Sequence, residues 1–185
     1  LIATEGTDLV LGLVGHDTLT GGAGNDTVDG GIGNDTLRAV VGDGDNTYIG
    51  GAGIDTYNLS ATSAVASINL TLGTASSAET GNDTLVEIEN VVGSSGNNVI
   101  TDATGANGLN GGAGNDTFVL LGDNARDVLV GALGLDTVDY TAVAANLTVN
   151  LATSTAVVTG SGTTAVLSDT VNGIENVIGG SGNDS

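Results

Sequence analysis

A nine-residue beat runs through most of this chain, and it leaves few folds open. Two clear copies abut as GGAGNDTVD (Gly21–Asp29) and GGIGNDTLR (Gly30–Arg38). Copies start at Ala3, Gly12, Gly21 and Gly30, then after two extra residues at Val41 and Gly50. A second array starts at Gly93, Asp102 and Gly111, then after two extra residues at Gly122 and Gly131. Across these eleven copies the fourth place is Gly in ten, with Ala125 the exception. The sixth place is Asp in eight (Asp8, Asp17, Asp26, Asp35, Asp55, Asp116, Asp127, Asp136) and Asn in three (Asn46, Asn98, Asn107). The eighth is apolar or aromatic throughout: Val10, Leu19, Val28, Leu37, Tyr48, Tyr57, Ile100, Leu109, Phe118, Leu129 and Val138. Chance in a Gly-rich composition does not hold three places in register this long.

One buried residue in nine cannot make a helix, whose apolar positions recur every three or four. Each copy reads as a tight turn and a very short strand, since Gly supplies the turn and Thr, Val, Leu and Tyr suit a pleat. Two copies make an 18-residue coil, and coils stack with parallel strands about 4.8 Å apart. The expected fold is all-β, a parallel β-solenoid with a thin core of eighth-place side chains. Tyr48, Tyr57 and Phe118 belong to that core. Such a core is weak alone, so something else must hold the turns together.

Two long segments leave the beat, at 59–92 and 140–178. Each contains an alternating stretch (Ile68, Leu70, Leu72; Leu147, Val149, Leu151) and closes on IENVVGSSGNN (Ile88–Asn98) or IENVIGGSGND (Ile174–Asp184). The pattern from Gly12 recurs 81 residues on, at Gly93, so a short repeat is nested in a long one. The expected organisation is one continuous solenoid over 1–185. It comprises a first array at 1–58, looser coils at 59–92, a second array at 93–139, looser coils at 140–178 and the start of a third array at 179–185.

The turns carry the chemistry. Sixth-place side chains and carbonyls of the Gly-rich turns (Gly22, Gly24, Gly31, Gly33, Gly51, Gly53, Gly112, Gly114) are expected to converge on the outside of each corner. A hard cation asking for six to eight oxygens fits between copies two apart, and calcium suits this better than magnesium, which demands a strict octahedron. Without Cys and with a single His, a conventional zinc site has no ligands. Asp8/Asp26, Asp17/Asp35, Asp35/Asp55 and Asp116/Asp136 pair two carboxylates and should be the firmest sites. Asp26/Asn46, Asn98/Asp116 and Asn107/Asp127 have one each and should be weaker, or draw on Asp43, Asp45, Asp102 or Asp123. His16 reads as a solvated turn residue. Glu89 and Glu175, which recur in the IEN triplets, read as surface residues able to cap or ligate. The run Asp43–Asn46 starts like an EF-hand loop but has Ile54 where the final Glu is needed.

These copies resemble the RTX calcium-binding nonapeptide, GGxGxDxUx. The long segments, with DTVDYTAVAANLTVNLAT (Asp136–Thr153), resemble the spacers between such arrays in large bacterial surface and secreted proteins. The resemblance implies a right-handed parallel β-roll, type I export and folding triggered by extracellular calcium. The three Asn and Ala125 depart from the pattern.

Net charge is −20, with no Lys and two Arg (Arg38, Arg126), which opposes binding to nucleic acid or anionic membrane. No apolar run approaches the ~20 residues of a membrane helix. The chain opens at Leu1 and breaks off inside a repeat, as a piece of a longer array would. The expected function is that of a non-enzymatic, calcium-stiffened segment of an extracellular adhesin, sheath or surface layer. Its expected partners are calcium and copies of itself or other surface components. The alternative is the export and folding module of a toxin or hydrolase. One Thr among eleven third-place residues argues against ice binding, and four aromatics without Trp argue against a sugar platform.

Overall fold

In the computed structural model, which describes residues 1–123, 125–159 and 166–185, the chain forms two sheets facing one core. Strands are numbered along the chain. The first sheet runs β1 (Leu9–Leu11), β3 (Thr27–Ile32), β5 (Thr47–Ala52), β9 (Gly81–Val86), β8 (Thr74–Ser77), β7 (Ala66–Asn69), β11 (Val99–Thr101), β13 (Thr117–Val119), β15 (Thr137–Asp139) and β19 (Asn176–Ile178). The second runs β2 (Thr18–Thr20), β4 (Thr36–Arg38), β6 (Thr56–Asn58), β10 (Asn90–Val92), β12 (Gly108–Asn110), β14 (Val128–Val130), β18 (Val166–Asn172), β17 (Thr155–Thr159) and β16 (Asn146–Asn150). Array strands pair in parallel, as the spacing predicts.

Parallel stacking puts equal places of successive copies in columns. Val10, Val28, Tyr48 and Leu85 stand in one column. Leu19, Leu37, Tyr57, Val91, Leu109, Leu129 and Val171 stand in another. Ile68, Ile100, Phe118 and Val138 form the third. All are buried, and each large side chain withdrawn from water contributes about 1.5–3 kcal/mol. Tyr48 and Tyr57 meet across the core with ring centroids 5.2 Å apart. The two-residue insertions widen a coil from 18 to 20 residues, yet Val28 still meets Tyr48 and Leu37 meets Tyr57.

The long segments differ from the looser coils expected of them. Strands β7, β8 and β9 form an antiparallel meander spliced into the first sheet, joined in parallel to β11 on one side and β5 on the other. Strands β16, β17 and β18 repeat this in the second sheet, where β18 pairs in parallel with β14. Residues 160–165 of this segment lie outside the described residues, as does Asn124. Connection length is the reason for the change of direction. Only residues 70–73 separate β7 from β8, enough for a hairpin but far short of a parallel crossover. Asn69 Oδ1 accepts the Leu72 N–H at 2.8 Å to close that turn, and Leu72, placed on the alternating stretch by its spacing, is exposed at its tip. Asn150 does the same for Thr153 in a 3₁₀ turn at Leu151–Thr153.

Candidate metal sites

Side chains two apart on a strand share a face, so an inward eighth place turns the sixth place inward too. The structure shows this. Asp26, Asp35, Asp55, Asp116, Asp127, Asp136, Asn46, Asn98 and Asn107 are buried between the stacked turns, not on the outside of the corners. Asp8 and Asp17, in the first coil, are half-buried.

Each sixth-place residue is tied to its counterpart one coil on. The backbone N–H donates to Oδ1 of the next side chain in Asp8 to Asp26, Asp17 to Asp35, Asp26 to Asn46, Asp35 to Asp55, Asn98 to Asp116, Asn107 to Asp127 and Asp116 to Asp136, all within 2.7–2.8 Å. These are the seven pairs the spacing selects.

The ladder also includes residues that the spacing does not supply. Asn46 donates to Asp83 Oδ1 at 2.9 Å and Asp127 to Asp169 Oδ1 at 3.1 Å, carrying it into both meanders. Where no Asp follows, the longer Glu reaches across: Glu89 Oε2 accepts from Asp55 and Glu175 Oε2 from Asp136. Asp83 had a signal, because Gly81–Leu85 repeats the Gly-x-Asp-x-apolar core of the beat out of phase. Asp43, Asp45, Asp102 and Asp123 accept backbone N–H groups of Val40, Asn82, Leu121 and Gly105 respectively, while Asp43 Oδ1 is buried and receives no hydrogen bond. His16 Nδ1 accepts the Asn34 N–H in an exposed turn.

The second carboxylate oxygens are the chemically significant feature. Oδ2 of Asp17, Asp26, Asp35, Asp55, Asp116 and Asp136 is buried and receives no hydrogen bond. Each points at the first-place glycine of its own copy. A Cβ on Gly12 would meet both Asp17 Oδ2 and the Gly30 carbonyl, and one on Gly30 both Asp35 Oδ2 and the Gly50 carbonyl. Gly50 and Gly131 face the same combination, with Asp55 and the Glu87 carbonyl, and Asp136 and the Gly173 carbonyl. Carboxylate and carbonyl oxygens thus share one space with no hydrogen between them. Buried oxygens so arranged are costly unless a cation joins them.

The glycines named from the turn pattern also serve the packing of the coils. Gly24, Gly33, Gly53 and Gly114 press on the backbone of Gly6, Gly15, Gly33 and Gly96 one coil back; Gly22, Gly31, Gly51 and Gly112 press on Thr4, Leu13, Gly31 and Ser94. They allow the turns to stack closely.

Electrostatics agree with this reading. Burial, opposed by hydrogen bonds and reinforced by neighbouring carboxylates, pushes Asp43 up to about 6 and Asp83 to about 7. Asp102 rises to about 7 and Asp127 to about 6, also mainly through burial. Asp55, Asp116, Asp136 and Asp169 are raised for the same first reason. Among the described residues no three acidic or imidazole side chains converge on one point, so an ion here would complete its shell with turn carbonyls. That donor set, all hard oxygens, fits calcium.

No helix among the described residues is long and apolar enough to cross a membrane. No curated protein matches the chain. The family model of the RTX calcium-binding nonapeptide repeat matches it in four copies, over residues 2–37, 41–57 and 88–118, and the carboxylate ladder continues past them through Asp127 and Asp136. Repeats of this family bind calcium and occur in secreted bacterial proteins; they are structural, not catalytic. With its all-β core, its stacked Gly-rich turns and these matched copies, the chain carries RTX calcium-binding nonapeptide repeats.

Proposed function

We propose that the chain is a structural segment of a secreted or cell-surface bacterial protein, an adhesin extender, sheath or surface-layer element that calcium folds and stiffens. The observation that carries this reading is the row of buried Oδ2 atoms, of which those of Asp17, Asp35, Asp55 and Asp136 face a carbonyl of the next coil. Asp17, Asp26, Asp35, Asp55, Asp116 and Asp136 would hold the ions, joined by Asp8 and Asp127 at the same place of the beat. Bound calcium supplies positive charge where Oδ2 would otherwise face another oxygen across the layers. The chain's own residues set the spacing: Oδ1 is held by a backbone N–H, which leaves Oδ2 free for the ion.

Circular dichroism of the chain in excess calcium and in chelator tests the reading. Calcium should raise β-structure and melting temperature together. Equal spectra and equal melting in the two buffers would refute it.

A further inference from the structure

The three Asn of the ladder cluster around the first meander. In the first sheet, Asn46 precedes β5, beside β9, and Asn98 precedes β11, beside β7. In the facing sheet at this level, Asn107 precedes β12 and Glu89 precedes β10. The second meander supplies an internal control. There the residue in the place of Asn46 is Asp127, and that in the place of Asn98 is Asp184. The main-chain bonds correspond: Ala66 donates to Asn98 Oδ1 at 3.2 Å, and Leu147 to Asp184 Oδ1 at 3.0 Å. Asn46 and Asp127 donate in turn to Asp83 and Asp169.

The other atom of the side chain is where they part. Asn98 Nδ2 lies beside the first-place glycine of its copy, Gly93, in the space that Asp17 and Asp35 fill with Oδ2. It donates to the carbonyls of Gly96 at 2.8 Å and Gly111 at 2.9 Å, with Asp116 Oδ1 at 3.1 Å and the Ser94 carbonyl at 3.4 Å. Four oxygens, from its own turn and from the coil that follows, therefore surround one amide nitrogen. Asn107 Nδ2 donates to the Glu89 carbonyl at 2.9 Å, and Asn46 Nδ2 approaches the carbonyls of Gly44 and Asp43 at 3.2 and 3.4 Å. An amide has the shape of a carboxylate but offers two hydrogens where the carboxylate offers lone pairs. It satisfies the turn carbonyls that an Asp leaves facing another oxygen.

We infer that Asn46, Asn98 and Asn107 are ion-free rungs, in which the side-chain amide takes the place of calcium. The first meander and the coils against it form a block that holds without calcium. The second meander, bracketed by Asp127 and Asp184, holds only when loaded. This inference rests on the calcium reading above. It differs from a ranking of strong and weak ion sites, because the Asn rungs then need no ion.

Hydrogen exchange read by mass spectrometry on the whole chain, in calcium and in chelator, tests it. In chelator, peptides covering β5, β7, β9 and β11 should exchange on the order of tenfold more slowly than those covering β14 and β18. Calcium should equalise the two groups. Asn98→Asp should bind one more ion by equilibrium dialysis and lose the chelator-resistant protection of β7 and β11, with calcium restoring it. Asp127→Asn should do the reverse, binding one ion fewer and gaining chelator-resistant protection at β14. Uniform loss of protection in chelator that calcium restores everywhere would overturn the inference and leave the calcium reading standing. An unchanged ion count in both variants would also overturn it. Calcium that changes protection nowhere would remove both.

Discussion

The backbone N–H of Asp35 donates to Oδ1 of Asp55 at 2.7 Å, and the other oxygen of Asp55, equally buried, accepts nothing. One half of the side chain therefore builds the fold and the other half is buried without a hydrogen bond. Removing the side chain separates the two roles. Asp55→Ala leaves the Asp35 N–H buried without a partner, a loss of about 1–3 kcal/mol in the calcium-loaded protein. In chelator the same change also removes a buried oxygen that nothing balances, so the loss should shrink or reverse. Melting of the variant and the wild type in both buffers checks this. Equal destabilisation in the two buffers would show that Asp55 acts only as a cap.

The pH dependence of the metal-free chain should run opposite to that of most proteins. Asp43 and Asp127 at about 6, and Asp83 and Asp102 at about 7, lie above the ordinary carboxylate value of 3.8, chiefly through burial. The folded chain then binds more protons than the unfolded chain between these values, so stability is greatest below 3.8 and falls as pH rises through 6 to 7. With excess calcium the sign reverses, since protons compete for the ligands. In chelator the chain should melt higher at about pH 4.5 than at about pH 8. A higher melting temperature at alkaline pH without calcium would contradict the burial of these groups.

The parallel columns were legible in the sequence because stacking brings like places together, so the beat that names Val28 as buried also places it on Tyr48. The seven Asp and Asn pairs followed from the same rule. The side of the sheet they face did not, although pleat parity carries it: Asp26 must point where Val28 points. The meanders were not legible. A stretch such as Ile68–Leu72 alternates in the same way in a coil and in a hairpin, and only the short connection to β8 decides between them. Asp169 escaped because its partner, Asp127, lies 42 residues back, outside any nine-residue phase, whereas Glu175, marked by its IEN triplet as able to cap or ligate, accepts the Asp136 N–H.

Tyr57 joins the apolar core to the ladder. Its hydroxyl donates to Asp83 Oδ2 at 2.6 Å, while Oδ1 of that carboxylate accepts from Asn46. Both oxygens of Asp83 are thus occupied by protein. Tyr57→Phe should cost about 1–3 kcal/mol, because the buried carboxylate loses a donor. The number of bound calcium ions should not change. Thermal melting and equilibrium dialysis read the two effects separately. A fall in ion count would mean that Asp83 is itself a ligand held in place by the phenol.

Two glycines with similar backbone shape distinguish conformational strain from layer spacing. Gly105 has φ 101° and nothing within 4 Å of where a Cβ would sit. Gly33 has φ 139°, and its Cβ would be driven into the Gly15 carbonyl of the preceding coil. Ala at either position must adopt a backbone that L-residues resist, which costs about 1–2 kcal/mol. Only Gly33→Ala must also push one coil away from its neighbour. That separation stretches the Asp17 to Asp35 rung, whose N–H and Oδ1 stand 2.7 Å apart, and spoils the space shared by Asp17 Oδ2 and the Gly30 carbonyl. Gly105→Ala should therefore lower stability with calcium affinity nearly unchanged. Gly33→Ala should lower stability further and weaken calcium binding as well. Denaturation in calcium together with calcium titration followed by circular dichroism measures both. If the two variants lost the same stability and bound calcium alike, close contact between turns would not be what sets the ion site.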